Sequence, residues 1–420
     1  MVKNHRLSLQ WVGFMKMLNI VGNLALLVAT VPAHAVGVLT PREIEGVWAD
    51  AKAQVETYYK KGWRDPSAFY ELKIVYHNGQ WGYPRYQGFI VSNERPSFFT
   101  RRPNISGELH VGFGTAINFN IVGAHPGVVQ KEEKNGKTVL NEAARHVLFV
   151  DQSYEVVVAM MSYWRPIWLV SKTPVEWLAN VAGYPLDPRE TLDSIFNRIR
   201  RRELGTVKAV EVLKQKFEKL VQEKKITEFD FKFAMAVVGE QVHEYKPQLF
   251  RYSSGANRIA HSLELIYNLA NRYEDIQEHG RGTWEEKQKE KAKVAQLYQV
   301  TSFLHNADNY QRVRKVYEAG QDYYAQAEIE DERFWEAVQE FSSSIGQKVT
   351  DVYISNIPIS LRAQRCIRPE DKYESVRLIR GLINIGVGSG KYTLFETQGM
   401  DELFTGIGME CIEVPCRSSK

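Results

Sequence analysis

Leu109-His110-Val111-Gly112-Phe113-Gly114-Thr115, followed closely by Asn118-Phe119-Asn120-Ile121, has the pattern of a strand, a glycine turn and a helix start. Its first residues form a short apolar run. The two glycines permit a sharp turn and a close approach of backbone to a ligand, and the residues after them open a helix. A second run, His146-Val147-Leu148-Phe149-Val150, ends on Asp151, an acid placed to accept hydrogen bonds from a ribose at a strand tip. The glycine pattern is loose. Ile117 stands where the third glycine of G-x-G-x-x-G belongs, and Asp151 lies 37 residues after Gly114 where about 20 is usual. The segment from His125 to Ala144, with Pro126-Gly127 and the charged run Lys131-Glu132-Glu133-Lys134-Asn135-Gly136, reads as an insertion that accounts for the excess. Taken alone, the motif is equally a buried strand with a glycine turn and a solvated acid.

Working outward, Tyr154 to Trp164 reads as a buried helix. Thr173-Pro174-Val175-Glu176 carries the cap, proline and acid of a helix start, with Gly183 as its stop, and Asp187-Pro188-Arg189-Glu190 repeats the pattern. From there to about residue 300 the apolar spacing is helical almost throughout, over Val207 to Lys224, Phe229 to His243, Ile259 to Tyr273 and Trp284 to Tyr298, which predicts a helical insertion or cap on a sheet at 191–318. Strands then return. Tyr323 to Glu328 ends in an acid, a helix carries Phe334, Trp335, Val338 and Phe341, and Lys348 to Ile354 leads into Ser355-Asn356. Leu382 to Val387 and Tyr392 to Phe395 flank Gly388-Ser389-Gly390-Lys391 and predict a C-terminal hairpin. This turn imitates a phosphate-binding loop and fails its test, because Ile385 replaces the first glycine and Tyr392 the magnesium-binding Ser or Thr.

Before the central motif, residues 1–35 read as a secretory leader. A basic start precedes Leu24-Ala25-Leu26-Leu27-Val28-Ala29, and Ala33-His34-Ala35 supplies the small-x-small cleavage pattern. The expectation is an exported protein, periplasmic or extracellular, with no membrane span once the leader is removed. Residues 36–88 follow as an N-terminal helix and strand, with Thr40-Pro41-Arg42-Glu43 as the helix start. The core then divides into a first half at 89–190, the helical block at 191–318 and a second half at 319–420. Three of the 54 basic residues lie in the leader, which leaves 51 against 50 acidic ones. So nearly neutral a chain has no global electrostatic case for nucleic acid or an anionic membrane. The cluster Arg198, Arg200, Arg201, Arg202 reads as a solvated helix end. No zinc, EF-hand, nucleophile-elbow or Cys-His motif is present, so no metal is predicted and no catalytic residue is assigned. His110, His125 and His146 read as ordinary strand-end residues. Of Cys366, Cys411 and Cys416, the last two are the local choice if a pair bridges.

Strand and helix in alternation imply an α/β protein with a mainly parallel sheet, right-handed crossovers and flanking helices. In such sheets the ligand lies beyond the carboxyl ends of the strands. Gly112 with Gly114, then Asp151, Glu328, and Ser355 with Asn356 occupy four successive predicted ends of this kind. Glycine, acid, acid and a Ser-Asn pair are what a nucleoside-type ligand requires.

The order Ser92-Asn93-Glu94, Val111-Gly112-Phe113-Gly114 with Asn118-Phe119, Val147 to Asp151, Thr173 to Pro185, and Val352 to Asn356 resembles a family of uncharacterised bacterial proteins. Their Rossmann-like sheet is the one typical of S-adenosylmethionine-dependent methyltransferases. The likeness spans residues 89–185 and 320–358, less than half of the chain. It implies the Rossmann-like fold and an adenosyl pocket that would draw on Glu94, Gly112, Gly114, Asn118, Asp151, Glu328, Ser355 and Asn356, with S-adenosylmethionine as the cofactor. The insertion at 125–144, the helical block and the region after Pro358 depart from that family. Two functions are thereby expected. One is an exported nucleoside-binding protein with methyl transfer as its activity; the other is a non-catalytic envelope protein that keeps the sheet without the chemistry.

Overall fold

The computed structural model describes residues 107–114, 116–134, 137–151, 154–239, 302–355, 374–388, 391–396 and 410–415, with isolated positions at 46, 242 and between 283 and 300. All of them belong to the compact unit Leu39–Lys420. The leader, the helix and strand expected at 36–88, Glu94, the helix expected around 259–273, Asn356 and Cys366 lie outside the described residues.

The first described strand is β1 (Leu109–Phe113), which turns at Gly114 into α1 (Ala116–Ala124). The stretch read as an insertion is a two-stranded ribbon, β2 (Val129–Lys134) antiparallel to β3 (Lys137–Glu142). β4 (His146–Asp151) follows, buried along its apolar run. The helix expected from Tyr154 is longer than its sequence suggested, running as α2 (Tyr154–Ala159), a π-helical turn over Met160–Trp164, and α3 (Arg165–Val170). α4 (Pro174–Ala182) begins and ends as read, with the Thr173 hydroxyl accepting from the Glu176 N–H and Gly183 closing the helix in the left-handed region. α5 (Leu192–Arg200) corrects the sequence reading. Its cap is Thr191, which exchanges hydrogen bonds with Ser194, and Asp187 to Glu190 form a turn before it.

α6 (Val207–Gln222), α7 (Glu228–Gly239) and α8 (Ala307–Glu318) complete the described helices of the block and lead into β5 (Asp322–Gln326). The block is therefore the crossover between β4 and β5. α9 (Glu332–Ile345), β6 (Val349–Ser355), α10 (Glu374–Val387), β7 (Lys391–Glu396) and β8 (Glu410–Pro415) close the chain. The hairpin expected around Gly388 is absent. Leu382 to Val387 are the last turns of α10, and β7 pairs parallel with β6 and antiparallel with β8.

The sheet order is β5-β4-β1-β6-β7-β8, parallel except for β8. Starting from β1, the chain adds β4 and β5 on one side, then crosses back to add β6 and β7 on the other. Right-handed crossovers then require the helices of the two halves to lie on opposite faces. They do. Phe113, Val150, Ala325 and Val352 point toward α9 and α10, packing with Phe334, Trp335 and Ile383. The alternate residues face α1, α3 and α8. This is a Rossmann-like, doubly wound α/β fold.

Phe119 of α1 is the centre of the second face. Its ring meets Phe149, Trp164, Trp168, Phe303 and Tyr317 edge-on, at centroid distances from 5.2 to 6.4 Å. Edge-to-face geometry is the favourable arrangement for aromatic quadrupoles. One side chain thus joins the sheet, the π-turn segment and α8. Phe119→Ala is expected to lower the unfolding free energy by about 3–5 kcal/mol, measured by urea denaturation.

Candidate functional site

Strand order reverses between β1 and β6, so the crevice between their carboxyl ends is the topological switch point where ligands bind in such sheets. Gly114 immediately follows β1 with φ +82°, a conformation that residues other than glycine rarely adopt, and among the described residues, its chain neighbours aside, no atom lies within 4 Å of where its Cβ would be. Its N–H donates to the Val150 carbonyl at 2.8 Å, so the turn is tied to β4. Asp151 is the last residue of β4, half-buried, and its carbonyl accepts from Ala327 N–H at 3.0 Å. Ser355 is the last residue of β6, opposite Glu396 of β7. Gly114, Asp151 and Ser355 therefore end three adjacent strands.

Three expected residues, Glu328, Gly112 and Asn118, have different surroundings. Glu328 lies two residues past the end of β5, half-buried, and its carboxyl is pushed up by burial and then by Glu330 and Asp331. Gly112 sits inside β1. A Cβ there would lie 2.1 Å from Asn118 Oδ1 and 2.6 Å from His110 Nε2, so the absence of a side chain is required by the protein's own packing. Asn118 is fully buried behind the turn, its Nδ2 donating to the carbonyls of Gly114 at 2.8 Å and Phe113 at 3.5 Å.

The sequence reading missed a polar row that crosses the sheet below this turn. Asp322, Val147, His110, Asp351 and Thr393 are lateral neighbours on one face of β5, β4, β1, β6 and β7, all buried. His110 Nδ1 is 2.5 Å from Asp351 Oδ2, and Arg145, just before β4, donates Nη2 to Asp351 Oδ1. Asp322 is held in parallel fashion by Arg165 Nε at 2.9 Å and the Tyr324 hydroxyl at 2.7 Å. Burial alone would raise the Asp351 carboxyl. Arg145 and then His110 outweigh that and hold it well below the usual carboxylate range. The signal in the sequence was a titratable residue inside each of two largely apolar strands, His110 between Leu109 and Val111, and Asp351 before Val352. Sequence alone does not say that they meet.

His125, the first residue past α1, is stacked on Phe395 at 5.7 Å, and neither ring nitrogen has a hydrogen-bond partner among the described residues. Burial lowers its imidazole to about 4, opposed by Asp351 and assisted by Arg145, His110 and Arg312. Among the described residues no group of His, Cys, Asp and Glu is arranged to hold a metal ion, and no helix is long and apolar enough to cross a membrane. The basic cluster is internally matched, Arg198 with Glu190 and Glu203 and stacked over Tyr184, and Arg201 with Glu203.

A family model described as a domain of unknown function (DUF7790) matches residues 208–359, about a third of the chain, from α6 through the end of β6. No curated protein matches the chain.

Two consequences follow from this packing. Gly112→Ala is expected to destabilise the protein by at least about 3 kcal/mol, since overpacking and a broken buried hydrogen bond add, and to do so with or without any ligand. Circular dichroism melts will show it. Between pH 4 and 6.5 the unfolded chain takes up the His125 proton before the folded one does, so stability rises with pH across that window, by about 3 kcal/mol from this residue. His146 and His305, also lowered by burial, add slopes of the same sign, and so does Asp351 from about pH 5 downward, where the unfolded carboxyl takes up its proton while the folded one stays ionised. His125→Phe, which keeps a ring against Phe395, is expected to remove the largest part of the slope in urea titrations at pH 4.5 and 7.

Proposed function

We propose that the protein binds a nucleoside-type ligand, S-adenosylmethionine in the first instance, at the carboxyl ends of β4, β1 and β6, and that it acts as a methyltransferase. The observation that carries this reading is the Gly114 turn, left-handed and uncrowded on its Cβ side among the described residues, at the reversal of strand order. Asp151 on the adjacent strand supplies the ribose acceptor. In this reading Gly114 admits the carboxypropyl end, Glu328 serves the base or ribose edge, and the methyl acceptor is assigned to the Ser355-Asn356 pair of the sequence. A raised carboxyl at Glu328 suits a group that accepts or donates at the rim of an adenosyl pocket. The leader reading adds export to the periplasm or beyond.

The second reading is a non-catalytic envelope protein that retains the sheet. Its specific support is that Gly112 and Asn118, two residues of the glycine motif, are taken up by internal packing. Export also separates the chain from cytoplasmic S-adenosylmethionine.

Isothermal titration with S-adenosylmethionine and S-adenosylhomocysteine separates the two. Saturable heat is expected from the first reading, and none with either compound, in folded protein, defeats it. Asp151→Ala refines the outcome. Each charge-assisted bond to a ribose hydroxyl is worth about 1.5–3 kcal/mol, so affinity is expected to fall at least about tenfold with little change in melting temperature. A lower melting temperature with unchanged affinity would assign Asp151 to structure.

A further inference from the structure

Both nitrogens of His110 face oxygen atoms. Nδ1 meets the Asp351 carboxylate, and Nε2 meets Asn118 Oδ1 at 3.0 Å. The second contact is normally ambiguous, because an amide can turn over and offer its NH2 group. Here it is not. Asn118 Nδ2 lies against the carbonyl oxygens of Gly114 and Phe113, which only accept, so the turned-over amide would set oxygen against oxygen at both. With Oδ1 thus committed to His110, the imidazole must donate from each nitrogen.

We propose that His110 carries protons on both ring nitrogens, and that through Asn118 it fixes the glycine turn at the carboxyl end of β1. His110 and Asn118 are positioning residues. They lie behind the turn, and neither touches a ligand. Loss of the Nε2 proton would leave two lone pairs facing each other across 3.0 Å. The amide would then rotate, withdraw its donor from Gly114, and release the turn. The titratable and charged groups near the imidazole come from three neighbouring elements: Asp351 on β6, Arg145 before β4, and His125 just past α1, itself neighboured by Arg312 of α8. Asp351 supplies the compensating negative charge, and Arg145 holds that carboxylate in place. Gly112 is the gap that lets the His110–Asn118 bond pass over the strand. The relay stands on hydrogen-bond geometry alone, whereas its bearing on a ligand rests on the reading given under Proposed function.

The test uses the full chain. Long-range 15N–1H spectra of histidine-labelled protein at pH 7 are expected to show one imidazole with both nitrogens at protonated frequencies, removed by His110→Gln. A lone-pair nitrogen at His110 would overturn the proposal, and this measurement needs no other variant to fold. Asn118→Asp keeps an acceptor for His110 but loses the donor to Gly114. Amide exchange at Gly114 is expected to quicken at least about tenfold, the equivalent of one lost hydrogen bond, while Val147 to Val150 stay protected. Unchanged exchange at Gly114 would overturn the positioning role. S-adenosylhomocysteine titration then separates the two readings. No heat with wild-type protein defeats the ligand assignment, while the spectra and exchange still decide the relay. Equal binding by wild type and Asn118→Asp defeats the link between relay and site.

Discussion

The Asp351 carboxylate lies in the middle of a sheet whose other members are mostly aliphatic and aromatic. A bare charge there would be untenable, since the desolvation penalty of an ion in a protein interior amounts to several kcal/mol even after relaxation. Two cationic or donor groups from remote parts of the chain relieve it: His110, 241 residues away, and Arg145, 206 residues away. Strand register delivers His110 directly beside Asp351, and the parallel pairing of β1 with β4 brings Arg145 to the edge of the same row. The arrangement works in one register only. A slip of one residue in β6 would turn Asp351 toward α9 and α10, into an apolar core that holds no partner for it. The buried pair thus acts less as a source of stability than as a constraint on which strands meet and how.

α1 turns that constraint into a connection with the rest of the molecule. Three consecutive residues do separate work. Asn118 bonds His110 and the glycine turn, Phe119 centres the aromatic cluster, and Asn120 Oδ1 accepts from the Phe303 N–H at 3.0 Å, fastening the helical block that precedes α8. α1 also receives the Arg312 guanidinium from α8 on the Gly123 carbonyl, and the same guanidinium pairs with Glu142 at the root of the β2–β3 ribbon. Both segments that looked like additions to the sheet are accordingly fixed to it through one short helix.

What the sequence disclosed follows from where the determining forces are local. Thr173 and Gly183 bound α4 because a cap and a left-handed stop act within a few residues, and β1 and β4 were visible because buried parallel strands read as apolar runs. Leu382 to Val387 misled for the same reason, since a short apolar run does not distinguish a strand from the buried end of a helix. The i, i+3, i+4 spacing of Ile379, Leu382 and Ile383 was the better guide. Asp187 and Thr191 both have capping chemistry, and only Thr191 stands one turn ahead of the buried trio Ile195, Phe196 and Ile199. Of the candidate site, the strand-end residues Gly114, Asp151 and Ser355 were legible. The polar row was not, because its charged members are explained by ion-pair partners 157 to 241 positions away.

The glycine motif itself unites these two levels. Gly112 and Gly114 are two letters of one pattern, yet they are glycines for opposite reasons. At Gly112 the backbone is ordinary strand and the missing side chain makes room for Asn118 and His110. At Gly114 no described residue crowds the Cβ position and the backbone itself excludes a side chain, through a φ of +82°. A glycine-rich turn is commonly read as one device for bringing backbone to a phosphate or an adenosyl group. In this chain only the second glycine is shaped that way, while the first closes a buried hydrogen-bond chain running from Arg145 to the back of the turn. The open side of Gly114 and the filled side of Gly112 are therefore coupled through Asn118. A ligand that presses on the turn would be opposed by a charge network one strand-length below it.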